Sequence, residues 1–385
     1  MMQKLLTALE ELAPLARAAA GEADRLARLT QPVSGALAQS GLFRLWVPKR
    51  YGGFELSLPA ALAVYEAASR VDGSVGWAVM IGSGGGLFAA YLGAEAAQAI
   101  YSPPGAVVAG SGAPDGRAER VAGGYRVSGR WRYASGAVYA TTFTANCQVL
   151  ESDAPLQAAN GSPLIRAMAF DASEVRVHQC WDTVGMRGTG SDDFEVQNVF
   201  VPADRSFSVF TDAPREQGAL YRLPFGVLTE LPVAAVALGI AAHALAAFEA
   251  LARKKKAHAA ARVLAEDTAV QVRFAEGCAS WQLAKSGLHG LAERAWQVAL
   301  QGRELSRREL AEITAGCAVS VERLRADVGQ LIAVSGMTGI QMDDELARAW
   351  RDLQTVAAHT AVSPRHLTAA GAALLGALTR PAAGA

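Results

Sequence analysis

The period of the hydrophobic pattern changes twice along this chain, and that change constrains its fold more than any other feature. Apolar residues recurring every three or four positions mark a helix packed on one side, whereas strict alternation marks a strand buried on one face. Residues 1–105 follow the helical period: Leu5, Leu12, Leu15 and Ala19 share one face, and a short helix over 58–70 follows the Tyr51-Gly52-Gly53 turn. Over 106–212 the period drops to two. Tyr125, Val127, Trp131 and Tyr133 alternate with polar neighbours and predict a half-buried strand, and Val175, Val177, Phe194 and Val196 repeat the signal. From 213 the helical period returns. Phe274, Cys278, Trp281, Leu288, Leu291 and Ala295 mark one face of a long helix, two more follow over 304–334 and 343–358, and a short Ala-rich tail ends the chain. The chain therefore reads as an α+β fold with three domains: an N-terminal helical domain (1–105), a central β-barrel or sandwich (106–212) and a C-terminal antiparallel helical bundle (213–385).

The apolar stretch 231–252, broken only by His243 and Glu249, is long enough to span a bilayer. Its composition is largely Ala and Lys254-Lys255-Lys256 follows directly, so it reads as a core helix of a tightly packed soluble bundle. The first 28 residues mix Glu, Asp, Lys and Arg, which excludes a signal-peptide core. With 36 Lys and Arg against 36 Asp and Glu, the chain lacks the basic surplus that nucleic acid or an anionic membrane requires. Zero net charge also leaves self-association unopposed. The four cysteines form no CxxC pair, which fits a reducing cytoplasm.

Most catalytic signatures are absent. There is no GxSxG, HExxH, P-loop or CxxC, and the six histidines are too dispersed for a metal cluster, so no metal is expected. The Gly-rich segment 110–116 precedes a strand, not a helix, and fails the context test for a dinucleotide phosphate loop. Gly82, Gly84, Gly85 and Gly86 lie in an apolar run where backbones, or a backbone and a ligand, can approach closely.

Three separated motifs resemble those of the acyl-CoA dehydrogenase superfamily. They are Gly41-Leu42-Phe43-Arg44-Leu45-Trp46-Val47-Pro48 with Tyr51-Gly52-Gly53, then Gly185-Met186-Arg187-Gly188-Thr189-Gly190-Ser191-Asp192-Asp193-Phe194 ending in Phe200-Val201-Pro202, then Arg351-Asp352. The resemblance implies the acyl-CoA-dehydrogenase-like arrangement of helical domain, β-domain and bundle. It also implies a homotetramer.

Two chemistries occur on that fold. The dehydrogenases use a Glu base, in many members eight residues after the Asp of the Arg-Asp pair; here that position is Thr360. Some take the Glu from the first bundle helix, near Glu230 in this chain. The segment Trp131-Arg132-Tyr133-Ala134-Ser135-Gly136, led by Gly123-Gly124-Tyr125, is similar instead to the flavin-dependent monooxygenase branch. That branch includes p-hydroxyphenylacetate hydroxylases, dibenzothiophene monooxygenases and amino-sugar N-oxygenases.

The resemblance implies the oxygenase component of a two-component system. Reduced flavin (FMNH2 or FADH2), supplied by a separate NAD(P)H:flavin reductase, reacts with O2 to give a C4a-hydroperoxyflavin that oxygenates a small organic substrate. In that branch a serine faces flavin N5 and a histidine lies over the ring; Ser135 and His359 match those positions and are the catalytic candidates. Such groups hold the hydroperoxide in a dry pocket and supply a proton to its distal oxygen.

Trp131, Ser135, Ser111 and Arg253 form the cofactor-binding candidates, with Arg187 and Ser191 beside them. Each has a plainer reading: Trp131 as strand core, Ser111 and Ser135 as turn hydroxyls, Arg253 as a solvated helix end. Phenol hydroxylases of this branch carry a histidine in the N-terminal domain. Here that stretch is Ile81-Gly82-Ser83-Gly84-Gly85-Gly86, and no histidine precedes His178. A bulkier substrate, or one already nucleophilic at nitrogen or sulfur, fits that departure. His178, His243, His258, His289 and His366 receive no role. The alternatives are an FAD-dependent acyl-CoA dehydrogenase using Glu230 and a non-catalytic interaction protein on the same fold.

Overall fold

The computed structural model describes residues 1–256 and 262–376; His258 and the end of the Ala-rich tail lie outside them. The chain opens with five helices, α1 (Met2–Leu26), α2 (Gln31–Ser40), α3 (Leu58–Val71), α4 (Gly73–Gly84) and α5 (Ala94–Tyr101). Leu5, Leu9, Leu12, Ala16 and Ala20 of α1 are buried, but Leu15, expected on the same face, is 41% exposed. Ten residues on from Leu5 it sits about 80° off the buried stripe. Asp72 separates α3 from α4 and caps the latter, its carboxylate accepting the Val75 amide at 3.1 Å.

Eight strands follow: β1 (Val108–Val121), β2 (Gly124–Ala134), β3 (Thr142–Glu151), β4 (Ala154–Pro155), β5 (Ile165–Asp171), β6 (Arg176–His178), β7 (Asp192–Pro202) and β8 (Ser206–Phe207). They form one mixed sheet in the order β6-β7-β2-β1-β3-β5-β8, with β4 on β3 and only β1 and β3 parallel. The β1–β3 register breaks between Ser111 and Gly116, so the Gly-rich segment bulges out of the ladder. Val127 and Trp131 of β2 are fully buried, as the alternation requires, and the Trp131 ring stacks on Phe194 at 5.1 Å. Tyr133 does not follow them. Its φ of 69° and a register shift between Trp131 and Ala134 turn it outward, 63% exposed, and bring Ala134 inward instead.

The C-terminal part holds α6 (Val227–Ala252), α7 (Thr268–Leu300), α8 (Arg307–Ser335), α9 (Glu345–Ala357) and α10 (Leu367–Leu374). Helix α6 is apolar enough to cross a membrane by length and composition, but 89% of its apolar window is buried among α3, α4, α7, α8 and α9. The N-terminal helices and the bundle share one core, and the sheet has its own. A third cluster joins Val47, Tyr51 and Tyr101 to Val108, Ala169 and Phe207. The site lies where these cores meet.

His243, near the middle of α6, has a structural role. Its Nδ1 bonds the Arg70 carbonyl at 2.9 Å and its Nε2 pairs with Glu345 at 3.0 Å, tying α6 to α3 and α9. Burial disfavours the charged imidazole, but the bonds to Glu345 and Arg70 outweigh it and raise its pKa. The bond to His243 lowers Glu345 in turn. The charged pair therefore stabilises fully below the ordinary histidine pKa of about 6.5, and that contribution is lost as pH climbs through the raised value. The melting temperature of wild type minus that of His243→Gln is expected to be larger at pH 6 than at pH 9. Equal differences at both would remove the charged pair from the stability of the bundle.

Candidate active site

The site rests on a loop that the bundle holds from behind. Arg351 on α9 pairs with Asp24 of α1 at 2.8 Å and donates from Nε to the Val184 carbonyl at 3.0 Å. The neighbouring Asp352 accepts the Met186 amide. Burial, reinforced by Asp72, pushes the Asp352 carboxyl up to about 7. Gly185 allows this contact, since a β-carbon there would lie 2.0 Å from the Arg351 carbonyl oxygen. Arg187 sits on the same loop, but it bonds the Asp24 carbonyl, Asp182 and the Thr183 carbonyl, so it fastens the loop to α1. Met186 (φ 54°) and Gly190 (φ 54°) bracket the turn and deliver Thr189 and Ser191 to the interior.

These hydroxyls meet Ser135. The outward turn at Tyr133 and the left-handed Gly136 (φ 78°) place Ser135 just beyond β2, and its side chain is buried. Its Oγ lies 2.7 Å from Ser191 Oγ, which lies 2.7 Å from Thr189 Oγ1, which donates to the Met186 carbonyl at 2.8 Å. Trp77 of α4 donates its indole N–H to Ser135 Oγ at 2.9 Å. The same indole meets His359 edge-on, with ring centroids 5.3 Å apart. Ser135 and His359, 224 residues apart in sequence, are thus brought together through Trp77, a residue the motifs had not singled out.

His359 follows the end of α9 and caps the next turn, its Nδ1 accepting the Ala361 amide at 3.2 Å. That bond places the remaining proton on Nε2. Burial lowers the pKa of the ring, so it is neutral at pH 7.

His359 also lines a cavity of about 420 Å³ between the three domains. Trp46, Phe88, Phe207 and Phe225 supply aromatic walls, and Gly84 and Ser111 lie on the lining. Ser111 Oγ also accepts the Ala113 amide at 3.4 Å, so it both lines the cavity and caps its own turn. Trp131 does not line it; its fully buried indole donates to the carbonyl of Asn146, which does. Arg253 is exposed at the end of α6, pairs with Glu249 and lies off the cavity. Glu230 is also off the lining, although its neighbours Thr229 and Val233 are on it; it accepts from Thr314 of α8 at 2.8 Å. Burial raises its pKa. Thr360, in the position of the missing Glu, is exposed at the start of the next turn. Among the described residues no group of three or more His, Cys, Asp or Glu gathers to hold a metal.

The residues fit a planar heteroaromatic group such as flavin. Ser135 Oγ retains unused hydrogen-bonding capacity, and the exposed Tyr133 ring beside it, edge-on to Trp181 at 6.1 Å, offers an apolar platform.

Comparison with known proteins agrees with this architecture. Residues 7–107 match the family described as acyl-CoA dehydrogenase, N-terminal domain, and residues 231–364 match its C-terminal domain. The chain belongs to the acyl-CoA dehydrogenase superfamily, in its flavin-dependent monooxygenase branch. It is 30% identical over 372 residues to the indole-3-acetate monooxygenase of Acinetobacter baumannii, covering 96% of this chain and 92% of the relative. The indole-3-acetate monooxygenase of Pseudomonas putida is 32% identical over 362 residues, covering 94% and 90%. HsaA of Mycobacterium tuberculosis, a flavin-dependent monooxygenase oxygenase subunit, is 28% identical over 371 residues, covering 94% and 92%. The structure of XiaF from Streptomyces with FADH2 and glycerol superposes with a TM-score of 0.89 at 24% identity, covering 99% and 97%, and shows the same fold.

The chain is thus the oxygenase component of a two-component flavin-dependent monooxygenase, an enzyme that uses reduced flavin and O2 with a separate flavin reductase. The dehydrogenase and interaction-protein alternatives fall away: the relatives are oxygenases, and Glu230 faces α8 and lies off the cavity.

Proposed function

We propose that this enzyme oxygenates an uncharged aromatic molecule of about the size of indole, seated in the cavity beside His359. One observation carries the reading. No Asp, Glu, Lys or Arg is among the cavity's described lining residues, and their only titratable side chain is the neutral His359. A volume of about 420 Å³ suits a small aromatic ligand. The indole-3-acetate monooxygenases act on an indole ring that carries a carboxylate. Aromatic walls suit the ring, but a carboxylate buried here finds no cation, and leaving it unpaired costs several kcal/mol.

In this reading Ser135 and Tyr133 would hold the flavin, with Ser135 Oγ meeting its N5. When bound, it supplies two electrons and activates O2. Ser135 holds the ring in place, His359 keeps a proton at Nε2 between flavin and substrate, and the apolar wall excludes water. Ser111 takes a polar atom of the substrate. We place the enzyme in the cytoplasm as a homotetramer fed by an NAD(P)H:flavin reductase. Zero net charge and the burial of α6 support a protein without nucleic-acid or membrane partners.

The test supplies reductase-generated FMNH2 or FADH2 under 18O2 and follows the label by mass spectrometry. Indole is expected to take up one labelled oxygen with kcat/KM roughly 100-fold or more above that of indole-3-acetate. A preference for the acid would sink the uncharged-substrate reading.

A further inference from the structure

We propose that Trp77, Ser191 and Thr189 are positioning residues that make Ser135 a pure hydrogen-bond acceptor, so that the site favours reduced over oxidised flavin. The inference rests on the placement of flavin N5 at Ser135 in the reading above. The proton order follows from the two ends of the chain of contacts. An indole N–H can only donate, and a carbonyl oxygen can only accept. Thr189 Oγ1 lies 2.8 Å from the Met186 carbonyl oxygen, a separation that requires a proton between them, and only Thr189 has one. That proton is then spent, so Ser191 donates the 2.7 Å bond to Thr189. Ser191 is spent in turn, so Ser135 donates the 2.7 Å bond to Ser191. At the far end Trp77 donates to Ser135 at 2.9 Å. Ser135 Oγ has therefore committed its proton to Ser191 and one lone pair to Trp77. One lone pair remains.

Flavin chemistry converts this order into selectivity. The reduced ring carries a proton on N5 and donates, whereas the oxidised ring presents a bare nitrogen lone pair. Against an acceptor-only Ser135 the first gains a hydrogen bond and the second meets lone pair with lone pair. To donate to oxidised N5, Ser135 would have to withdraw its proton from Ser191 and leave a buried chain one bond short. The acceptor end does not swing away to relieve this. Asp352 holds the Met186 amide and Arg351 holds the Val184 carbonyl, both from α9.

Dissociation constants of FMN and FAD, in oxidised form and in anaerobically reduced form, test the proposal on wild type, Ser191→Ala, Thr189→Val and Thr189→Ser. Wild type is expected to bind reduced flavin more tightly. Ser191→Ala frees the Ser135 proton, and Thr189→Val lets Ser191 turn its own proton toward Ser135. In both, the ratio of oxidised to reduced dissociation constants is expected to fall roughly 3- to 10-fold. Thr189→Ser keeps the chain intact and retains the wild-type ratio. A merely structural role would weaken both redox forms together and leave the ratio unmoved. An unmoved ratio in Ser191→Ala and Thr189→Val, or a wild-type ratio near one, overturns the proton order while leaving the oxygenase reading in place. Binding of neither flavin in either state overturns the flavin placement itself, and the inference with it.

Discussion

His359→Ala is expected to divert the consumed O2 from product into hydrogen peroxide while leaving the fold intact. Product formed per reduced flavin should fall roughly 10- to 100-fold, with peroxide release rising to balance it. The imidazole is fixed as the neutral tautomer with its proton on Nε2, because Nδ1 is occupied by the Ala361 amide. Its removal deletes the one titratable group on the cavity lining and opens a polar gap through which water reaches the oxygen chemistry. The loss of one capping bond costs the fold only about 1 kcal/mol, so a folded and uncoupled variant is the outcome to look for. The direction of the pKa shift adds a second signature. Because burial lowers the pKa of His359, the neutral form dominates from near-neutral pH upward, and coupling should stay flat there. Coupling should decline only as the pH falls below the ordinary histidine range and the ring takes a second proton. An unchanged product-to-peroxide ratio in His359→Ala would take this residue out of the mechanism.

Gly84→Leu should close the cavity without disturbing the fold. The four glycines of the apolar run divide sharply once their surroundings are known. A β-carbon on Gly82 would meet the Phe43 ring at 2.5 Å, on Gly85 the Val108 side chain at 2.8 Å, and on Gly86 the Val47 amide nitrogen at 2.6 Å. These three permit packing. Gly84 lines the cavity and a β-carbon there meets nothing within 4 Å. A leucine at this position, at the C-terminal end of α4, projects into space that the substrate needs. It also removes the backbone entropy cost of a helical glycine, worth up to about 1 kcal/mol in favour of the variant. The expected result is a kcat/KM for a bicyclic substrate lower by roughly 100-fold, with the melting temperature unchanged or slightly raised. Gly86→Leu, which drives a side chain into backbone, should instead lose stability outright. If Gly84→Leu turns over a bicyclic substrate as well as wild type does, the substrate does not occupy this part of the cavity.

The order of helices, strands and helices was legible because burial imposes a different period on each element, and long segments such as α7 and α8 repeat that period many times. Leu15 and Tyr133 show where it misleads. Leu15 falls outside a stripe only about 100° wide, and at Tyr133 one left-handed residue re-aims the strand, a conformation that alternation does not encode. Ser135, Ser111 and His359 could be picked out because they match positions of a branch that the chain resembles. Ser191 was in view only as part of such a motif, without its partners. Trp77 carried no signal, since an indole in an apolar run is ordinary core. Its importance lies in a bond to a residue 58 positions away. Thr189 stands in the same motif, but its role shows only through contacts with its own loop, whose shape is imposed by Asp352 on a distant helix. Glu230 illustrates the opposite error. It is near the right place along α6, but it lies off the cavity lining and is bonded to α8.

Trp77 on α4, Ser135 after β2 and His359 after α9 belong to three different domains, yet one indole touches the other two. Such a site has no local precursor. No hairpin or single helix carries two of its three members, so every fragment is inert until all three domains have docked. In reverse, parting of the sheet from the core that the N-terminal helices share with the bundle breaks the site while helices and strands are still formed. The working lifetime of the enzyme is therefore set by the seam between sheet and helices, not by the stability of either core.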